Sequence, residues 1–399
     1  MRKPIYDRSG ARRQSNFARI NNRNSRQRST WENDGSGGQA NGLSSPRAFP
    51  RHDSPAGQVA DLELQVDYSD LAAVEEFAKR VDVVTLEFEN IPASALEAAG
   101  LHAPVHPGIN TLWTTQNRGR EKSFLCENNI PTCDFQIVHS LSELNAACES
   151  IFPGVLKTTE QGYDGKGQRF IRSQDDIAPA WQALNTEEAI LEKLIDFDFE
   201  FSVVAARSST GEVAAFPTSR NEHHNHILDV SVSPSGVDEK LEKEATDIAC
   251  QIMSQLGSVG VLCVEFFHCN DKILVNEIAP RPHNSGHLTI EANITCQFEQ
   301  HLRAVCGLPL GSTARIKPAA MANLLGDAWQ DGEPNWNQAL ATPNVKLHLY
   351  GKADPKPGRK MGHLTAIADS PDQAVELVTS GRQALSHVSN PVEKKTSVT

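Results

Sequence analysis

The chain has 399 residues, of which 39% are hydrophobic, and a net charge of -12. This length predicts two to three domains with buried cores, and no apolar run has the length of a membrane span or the pattern of a signal peptide. The acidic balance argues against nucleic acid as the main partner, and the eight cysteines, without a C-x-x-C pair, favour reduced cytoplasmic thiols over disulfides or a zinc site.

The first 54 residues differ in charge from the rest of the chain. They contain eleven Lys and Arg against four Asp and Glu, a local charge of +7. Their abundance of Arg, Asn, Ser and Gly, with almost no apolar periodicity, predicts a disordered arm and ordered structure from near Asp53 onward. A solvated tail, a targeting peptide and a polyanion-binding arm are the open alternatives for this arm.

Strand and helix patterns alternate after the arm. Residues 62–66 and 81–88 have the pattern of strands, and residues 70–79 between them have helical spacing. Mostly apolar strands separated by helices predict a parallel sheet, which binds ligands at the carboxyl ends of its strands. Glu87 and Glu89 lie at such an end and are candidate ligand groups, with solvated loop acids as the alternative.

A glycine loop follows a short apolar strand that ends at Lys157. Because Gly162, Gly165 and Gly167 have no side chains, the backbone of this loop can approach a ligand closely. Loop N–H groups and lysine ammonium groups complement the oxygens of a polyphosphate. No Gly-Lys-Ser or Gly-Lys-Thr follows, so this is not a Walker motif, and an ordinary hairpin turn is the alternative.

The middle of the chain changes architecture. Strand patterns at 199–206 and 213–216 are joined by a short turn at Gly211, which predicts antiparallel hairpins. Residues 238–257 have the apolar spacing of a long amphipathic helix. The predicted class is therefore α/β followed by α+β.

Two acids occupy an otherwise apolar hairpin, Glu265 within strand 259–267 and Glu277 within strand 273–278. Like charges on facing strands are unfavourable unless they are compensated, so a hard cation with oxygen ligands is predicted, and a salt bridge is the alternative. The loop 279–287 that follows is polar and constrained by prolines. Its prolines and glycine argue against a helical zinc pair of His283 and His287.

Short strands return at 320–324, 346–350 and 363–368. A basic loop, 351–360, lies between the last two. In an acidic protein this cluster predicts a second anion site, such as one for a substrate phosphate, and a solvated turn is the alternative.

Taken together, these motifs resemble the ATP-grasp superfamily and, within it, the N5-carboxyaminoimidazole ribonucleotide synthetases. The resemblance runs from about residue 53 to about residue 383. The motifs that carry it are Lys157, 162–168, 192–195, Glu200, Glu265, 276–277 and 279–287, supported by 87–90 and 359–363.

The resemblance implies an ATP-grasp fold in three parts. These are an incomplete N-terminal parallel α/β domain (55–117), an ATP-grasp core (118–318, with lobes of about 118–190 and 191–318) and a small β-rich C-terminal domain (319–385), followed by a tail (386–399). The family begins with a strand, a glycine-rich loop and a helix, whereas residues 1–52 show only the glycines of 35–39 in an arginine-rich context. This departure predicts a missing central strand, caused by a wrong start or a shifted reading frame, which the coding DNA would settle.

The resemblance also implies roles for individual residues, with ATP and Mg²⁺ as cofactors. Glu265 and Glu277 would bind Mg²⁺. The catalytic residues would be Arg281, His283, Tyr163 and Asp164. The substrate-binding residues would be Glu87, Asn284, Lys352, Arg359 and Lys360. The ATP-binding residues would be Arg118, Lys157, Gly162, Tyr163, Asp164, Gly165, Lys166, Gly167, Gln168, Glu192, Lys193, Leu194, Ile195, Glu200, His223, Asn276 and Glu277.

The implied activity is a ligase reaction of cytoplasmic purine biosynthesis. ATP would phosphorylate bicarbonate to carboxyphosphate, which would carboxylate 5-aminoimidazole ribonucleotide to N5-carboxyaminoimidazole ribonucleotide with release of ADP and phosphate. Phosphoryl transfer requires alignment and charge neutralisation, which matches a site rich in Lys, Arg and Mg²⁺ ligands. A formate-dependent glycinamide ribonucleotide transformylase and an inactive ATP-binding protein are the alternatives. No membrane partner is expected, and a homodimer is an open alternative.

Overall fold

The computed structural model describes residues 20–23, 46–49, 56–86, 88–160, 162 and 165–386. Every structural statement below refers to these ranges. No helix within them combines the length and the apolarity that a membrane span requires.

The first sheet is parallel and has five strands in the order β3-β2-β1-β4-β5. Its strands are β1 Ile20–Arg23, β2 Pro46–Phe49, β3 Leu62–Gln65, β4 Val83–Leu86 and β5 Val105–His106. The helices of this part are Leu71–Ala78, Ala93–Gly100 and Ile109–Thr115. Val84 and Leu86 of β4 share one buried core with these helices, whereas Val83 packs against Leu302 and Val305, so β4 is buried along its whole length.

The sequence predicted no strand before Asp53, and this prediction is wrong for β1 and β2. The middle strand of the sheet is β1, whose residues Ile20–Arg23 pair with β2 on one side and with β4 on the other. The central strand that the sequence analysis expected to be missing is therefore present. Its sequence, Ile-Asn-Asn-Arg, has no alternating apolar pattern, and strand formation depends on neighbouring strands more than on intrinsic propensity.

A second, smaller sheet is antiparallel and has the strand order β6-β9-β7-β8. Its strands are β6 Phe135–Val138, β7 Gly154–Thr158, β8 Gln168–Ile171 and β9 Ala189–Lys193. The helices Leu141–Cys148 and Gln174–Leu184 supply apolar side chains to its core. We call this unit, together with the preceding helix Arg118–Glu127, the small lobe.

The third sheet is the largest, with nine strands in the described part of the chain. Its order is β15-β14-β10-β12-β13-β16-β18-β17, and β11 pairs with β10. The strands are β10 Phe199–Arg207, β11 Val213–Ala215, β12 Ser219–His224, β13 Ile227–Ser233, β14 Gly260–Cys269, β15 Lys272–Ala279, β16 Ala319–Leu325, β17 Val345–Leu349 and β18 Lys360–Ile367.

Three longer helices and one short helix accompany the large sheet. The helix Glu239–Leu256 buries its apolar face, as its sequence spacing predicted, and the helix Gln297–Val305 is also largely buried. The short helix Trp336–Leu340 and the helix Pro371–Gln383 cover the strands β16 to β18. The strands of the predicted C-terminal domain continue the large sheet, because β16 pairs with β13.

Candidate active site

A cleft of about 930 Å³ lies between the small lobe and the large sheet. Side chains from β7, β8 and β9 line one wall, and side chains from β10, β12, β14, β15 and the loop after β15 line the other. The predicted residues in its lining are Arg118, Lys157, Gly162, Gly165, Lys166, Gln168, Glu192, Lys193, Leu194, Ile195, Glu200, His223, Glu265, Asn276, Glu277, Arg281, His283, Asn284 and Lys360.

On the small-lobe wall, Lys157 on β7 pairs with Glu192 on the neighbouring strand β9. The distance from Lys157 Nζ to Glu192 Oε2 is 2.6 Å, and Glu192 is only 4% exposed. Burial by itself would raise the pKa of Glu192, but Lys157 and Lys122 outweigh it and lower this pKa to about 2. Glu192 is therefore a permanent carboxylate that orients Lys157 toward the cleft.

The glycine loop, residues 162–168, is held by Arg118 at the start of the helix Arg118–Glu127. The guanidinium donates to the carbonyl oxygens of Thr158 at 2.8 Å and Gly162 at 2.7 Å. Gly165 has a φ of +74°, and a Cβ there would lie 2.6 Å from the ring of His226. Glycine is thus required by backbone conformation and by space.

Three predicted site residues, Glu87, Tyr163 and Asp164, lie outside the described residues. Their roles therefore stay predictions. Gly167 is described and has a φ of +73°, but it does not line the cleft.

The segment between the two walls runs from β9 into β10. Leu194 and Ile195 line the cleft here. At the start of β10, Glu200 forms an ion pair with His223 on β12. Burial acts to lower the pKa of His223, but its hydrogen bond and charge interaction with Glu200 outweigh burial and raise it.

On the large-sheet wall, Glu265 on β14 and Glu277 on β15 are directly paired in the strand register. Glu265 is 7% exposed, and burial together with the charge of Glu277 raises its pKa to about 8. His283 Nε2 lies 3.1 Å from Glu265 Oε1. Without a cation, one of these two adjacent carboxylates resists ionisation. A divalent cation bound between them would stabilise the ionised form of both.

The loop after β15 brings Arg281, His283 and Asn284 to the same wall. Arg281 makes a two-pronged pair with Glu89, with Nε to Oε2 at 2.7 Å and Nη2 to Oε1 at 3.3 Å. Burial, with Arg281 and Lys360 nearby, holds the pKa of His283 well below its usual range. His283 is therefore neutral near pH 7.

Sequence reasoning noted Glu87 and Glu89 but assigned a role only to Glu87. Glu89 joins the first domain to the loop after β15, 192 residues away in sequence. A signal was available, because Glu89 belongs to the same acidic motif at the end of β4, but no local pattern indicates its partner.

Only one of the three predicted cations of the basic loop reaches the cleft. Lys360, the first residue of β18, lines it. Lys352 instead donates to the Lys360 carbonyl oxygen and lies over the ring of Tyr350. Arg359 donates from Nη1 to the carbonyl oxygen of Asp354 at 2.5 Å. Lys352 and Arg359 bind backbone oxygens of their own loop, and their role in binding the substrate phosphate stays a prediction.

Three family models match successive parts of the chain. The ribonucleotide synthetase preATP-grasp domain matches residues 41–116, the ATP-grasp domain matches 123–298, and the phosphoribosylaminoimidazole carboxylase C-terminal domain matches 319–377. The first of these begins inside the segment that was predicted to be a disordered arm.

Several similar proteins are N5-carboxyaminoimidazole ribonucleotide synthases or synthetases. The N5-carboxyaminoimidazole ribonucleotide synthase of Bacillus subtilis is 42% identical over 333 residues, covering 83% of this chain and 87% of the relative. A crystal structure of an N5-carboxyaminoimidazole ribonucleotide synthetase in its ADP complex has a TM-score of 0.85 at 38% identity, covering 92% of this chain and 96% of that one. The Aspergillus clavatus enzyme, in complex with ADP and 5-aminoimidazole ribonucleotide, has a TM-score of 0.84 at 29% identity, covering 93% and 99%.

Proposed function

We propose, from the premise that this chain belongs to the N5-carboxyaminoimidazole ribonucleotide synthase family of ATP-grasp ligases, that the cleft is its active site. The chain carboxylates 5-aminoimidazole ribonucleotide to N5-carboxyaminoimidazole ribonucleotide with ATP, a step of purine biosynthesis. The alternative of a formate-dependent transformylase lacks comparable support.

One observation carries the assignment of the site. Lys157 and the glycine loop on the small lobe face Glu265 and Glu277 on the large sheet across a single cleft. Cationic and backbone donors suit the phosphates of ATP, and paired carboxylates suit the cation that accompanies them. The reacting phosphoryl group would therefore lie between the two walls.

The residues that would bind ATP form a continuous path along the cleft. We assign the phosphates to Lys157, Arg118, Lys166 and the backbone of the glycine loop, and the adenine to the segment 192–195. Glu200, paired with His223, would accept hydrogen bonds from the ribose hydroxyls. Closure of the glycine loop over the phosphates would exclude water from a labile intermediate.

Mg²⁺ would bind between Glu265 and Glu277, with Asn276 beside them. The donor set fits, because Mg²⁺ prefers carboxylate oxygens and completes its shell with phosphate oxygens and water. Bound there, the ion would neutralise charge on the transferring phosphoryl group. The raised pKa of Glu265 is the sign of uncompensated negative charge that this fit requires.

The acceptor side of the reaction would lie against the loop after β15. A bicarbonate oxygen would attack the γ-phosphorus, and the bond to ADP would break to give carboxyphosphate. The exocyclic amine of the ribonucleotide would then take the carboxyl group as phosphate leaves. Arg281 and Asn284 would orient these anions, and neutral His283 would accept the proton that the amine loses as the carbon–nitrogen bond forms.

The ribonucleotide phosphate would be bound by Lys360, the basic-loop cation that lines the cleft. Glu87, Tyr163 and Asp164 keep their predicted roles in substrate binding and catalysis. We also propose that the protein acts in the cytoplasm, where its eight cysteines would stay reduced. A homodimer is a further prediction, which light scattering of the purified protein would test.

The experiment that tests this function is ADP release by the purified chain. Release should require Mg²⁺, bicarbonate and 5-aminoimidazole ribonucleotide together. Glu277→Gln should lower the rate by at least about 10²-fold, because the amide is neutral and binds Mg²⁺ weakly. Release with formate and glycinamide ribonucleotide, but not with bicarbonate and 5-aminoimidazole ribonucleotide, would contradict the assignment.

A further inference from the structure

Strand β15, which carries Asn276 and Glu277, lies at one end of the large sheet. Its outer edge has no strand of the same sheet beside it in the described part of the chain. Backbone groups on a buried edge need partners from elsewhere. The partners come from the small lobe, where Thr132 forms a parallel bridge to Val275 and Val275 N donates to Pro131 O at 2.8 Å.

Lys122, on the helix Arg118–Glu127, extends this contact along β15. Its side chain is 1% exposed, and Nζ donates to Asn276 O at 2.7 Å, Thr132 Oγ1 at 2.8 Å and Val275 O at 3.3 Å. A buried ammonium group is unfavourable unless its hydrogen bonds and charge are matched. Here all three donors of the ammonium have acceptors, and one of the acceptors is the carbonyl directly before Glu277.

Glu121, the preceding residue, holds the other side of Glu277. It is 4% exposed, and its Oε2 accepts a hydrogen bond from Ile278 N at 3.2 Å. The backbone is thus bound immediately before Glu277 by a donor and immediately after it by an acceptor. Adjacent residues of one helix therefore determine where the Glu277 main chain lies.

The same helix also reaches the phosphate side of the cleft. It begins at Arg118, whose guanidinium binds the glycine loop. One rigid element therefore connects the loop proposed for the phosphates with the strand proposed for the metal. Neither Glu121 nor Lys122 was assigned a role from the sequence, because their partners are 157 and 153 residues away.

We propose that Lys122 and Glu121 are positioning residues that hold the Asn276–Glu277 main chain in the geometry needed for Mg²⁺ binding. The proposal rests on the assignment of Glu277 as a magnesium ligand made above. Residues that orient metal ligands from behind commonly change metal affinity by about 10–100-fold when they are replaced. The effect should appear in the metal-dependent part of nucleotide binding.

The test compares the affinity for ADP with Mg²⁺ and with EDTA, measured by isothermal titration calorimetry on the full chain. Lys122→Met keeps the length of the side chain but removes its three donors. We expect it to lower the Mg²⁺-dependent gain in affinity by about 10–100-fold and to change the Mg²⁺-free affinity by less than about two-fold. Glu121→Leu should act in the same direction, and Glu121→Gln should restore binding because its amide oxygen still accepts from Ile278 N.

The matched control is Gln300→Leu. Gln300 is fully buried and exchanges two hydrogen bonds of 2.8 Å with the backbone of Gly311. Its replacement removes a comparable number of buried hydrogen bonds in another part of the protein. It should lower the thermal stability without altering the effect of Mg²⁺ on ADP binding.

The outcomes separate this proposal from the proposed function. If Glu277→Gln leaves the Mg²⁺ effect unchanged, the metal assignment itself is wrong. If Glu277→Gln removes the effect but Lys122→Met and Glu121→Leu lower only the thermal stability, as Gln300→Leu does, the positioning role is overturned. If Glu121→Gln behaves like Glu121→Leu, the hydrogen bond to Ile278 is not the cause.

Discussion

The cleft and the basic loop both concentrate charged side chains, but they pair those charges over very different distances along the chain. In the cleft, Lys157 and Glu192 are 35 residues apart, and Arg281 and Glu89 are 192 residues apart. In the basic loop, Arg359 binds a carbonyl oxygen only five residues away. Lys352 likewise binds a carbonyl oxygen eight residues away.

This difference in pairing distance distinguishes a ligand-binding site from a charged surface turn. Charged side chains contributed by different strands are held in fixed positions by the sheets that carry them, so pairs such as Lys157 and Glu192 stay at the wall of a shared cleft. Charges within one loop can satisfy each other locally. A cluster of cations in the sequence therefore indicates a ligand site only where the fold prevents the cluster from closing on itself.

The largest effect is expected from Lys157→Met, on the small-lobe wall. The variant loses the phosphate cation and leaves the buried carboxylate of Glu192 without its nearest partner. We expect kcat/KM for ATP to fall by about 10²–10³-fold, measured by ADP release. Lys243→Met, which removes an exposed lysine paired with Asp247, should stay within about two-fold of the unmodified chain. A loss of kcat/KM of less than ten-fold for Lys157→Met would contradict the role of Lys157 in binding the phosphates of ATP.

The next prediction compares alanine variants of three cations in the basic loop. Lys360→Ala should raise KM for 5-aminoimidazole ribonucleotide by about 10–100-fold, because a hydrogen bond to a charged group contributes about 1.5–3 kcal/mol. Lys356→Ala should change it by less than about two-fold, since this exposed side chain pairs with Asp354. Arg359→Ala should resemble Lys356→Ala. A larger effect for Arg359 than for Lys360 would show that the loop binds the substrate in another conformation.

A smaller effect is expected from a matched pair of glycines with positive φ. Gly165 in the glycine loop has a φ of +74°, and Gly358 in the basic loop has a φ of +71°. Alanine costs about 1–2 kcal/mol of backbone strain at either position. Only at Gly165 would the new Cβ meet a ring, that of His226 at 2.6 Å, whereas the nearest atom at Gly358 lies 3.5 Å away. Gly165→Ala should raise KM for ATP about ten-fold, and Gly358→Ala should leave KM for ATP unchanged. Equal effects of the two variants would show that the glycine loop tolerates an alanine side chain at position 165.

The smallest expected effect is on the free energy of unfolding. It concerns His301, which makes long-range contacts outside the cleft. His301 accepts from Val261 N at 3.0 Å and contacts Thr85 Oγ1 on β4 at 2.8 Å. Burial lowers its pKa to about 3 from an ordinary value of 6.5. Between these two pH values, His301 binds a proton in the unfolded chain but not in the folded chain. Its contribution to the free energy of unfolding is therefore fully present above pH 6.5 and is lost as the pH falls below that value.

Urea unfolding at pH 7.0 and 5.5 would measure this contribution. His301→Gln, which keeps one acceptor and one donor, should lose about 1 kcal/mol less stability over this interval than the unmodified chain. The reference variant is His139→Gln, at an exposed position. An equal loss in all three proteins would mean that His301 does not account for the pH dependence.

Much of the fold followed from patterns between neighbouring residues. The apolar spacing of residues 238–257 predicted the helix Glu239–Leu256, and the alternating hairpin predicted that Glu265 and Glu277 would face each other. The glycine loop was identified because Gly162, Gly165 and Gly167 follow a strand that ends at Lys157. These features depend on interactions within a few residues or across one turn, so the sequence contains them directly.

Other features could not be read in this way. The middle strand β1 has a polar sequence and exists through its pairing with β2 and β4. Arg281 and Glu89 were both noted in the sequence and both line the cleft, but their pairing was not predicted, and neither was the contact of Lys122 with β15. Lys352 and Arg359 were placed in the site because their charge was visible, while the carbonyl oxygens that bind them were not.

The sequence by itself determined which residues were candidates for the site and the order in which they occur. Only the tertiary structure decided which carboxylate meets which cation, which lysine of the basic loop reaches the cleft and how the strand of Asn276 and Glu277 is held. The reason is physical: hydrogen bonds and charge interactions depend on distances of a few ångströms and on burial, and both are set by packing between residues far apart in the chain.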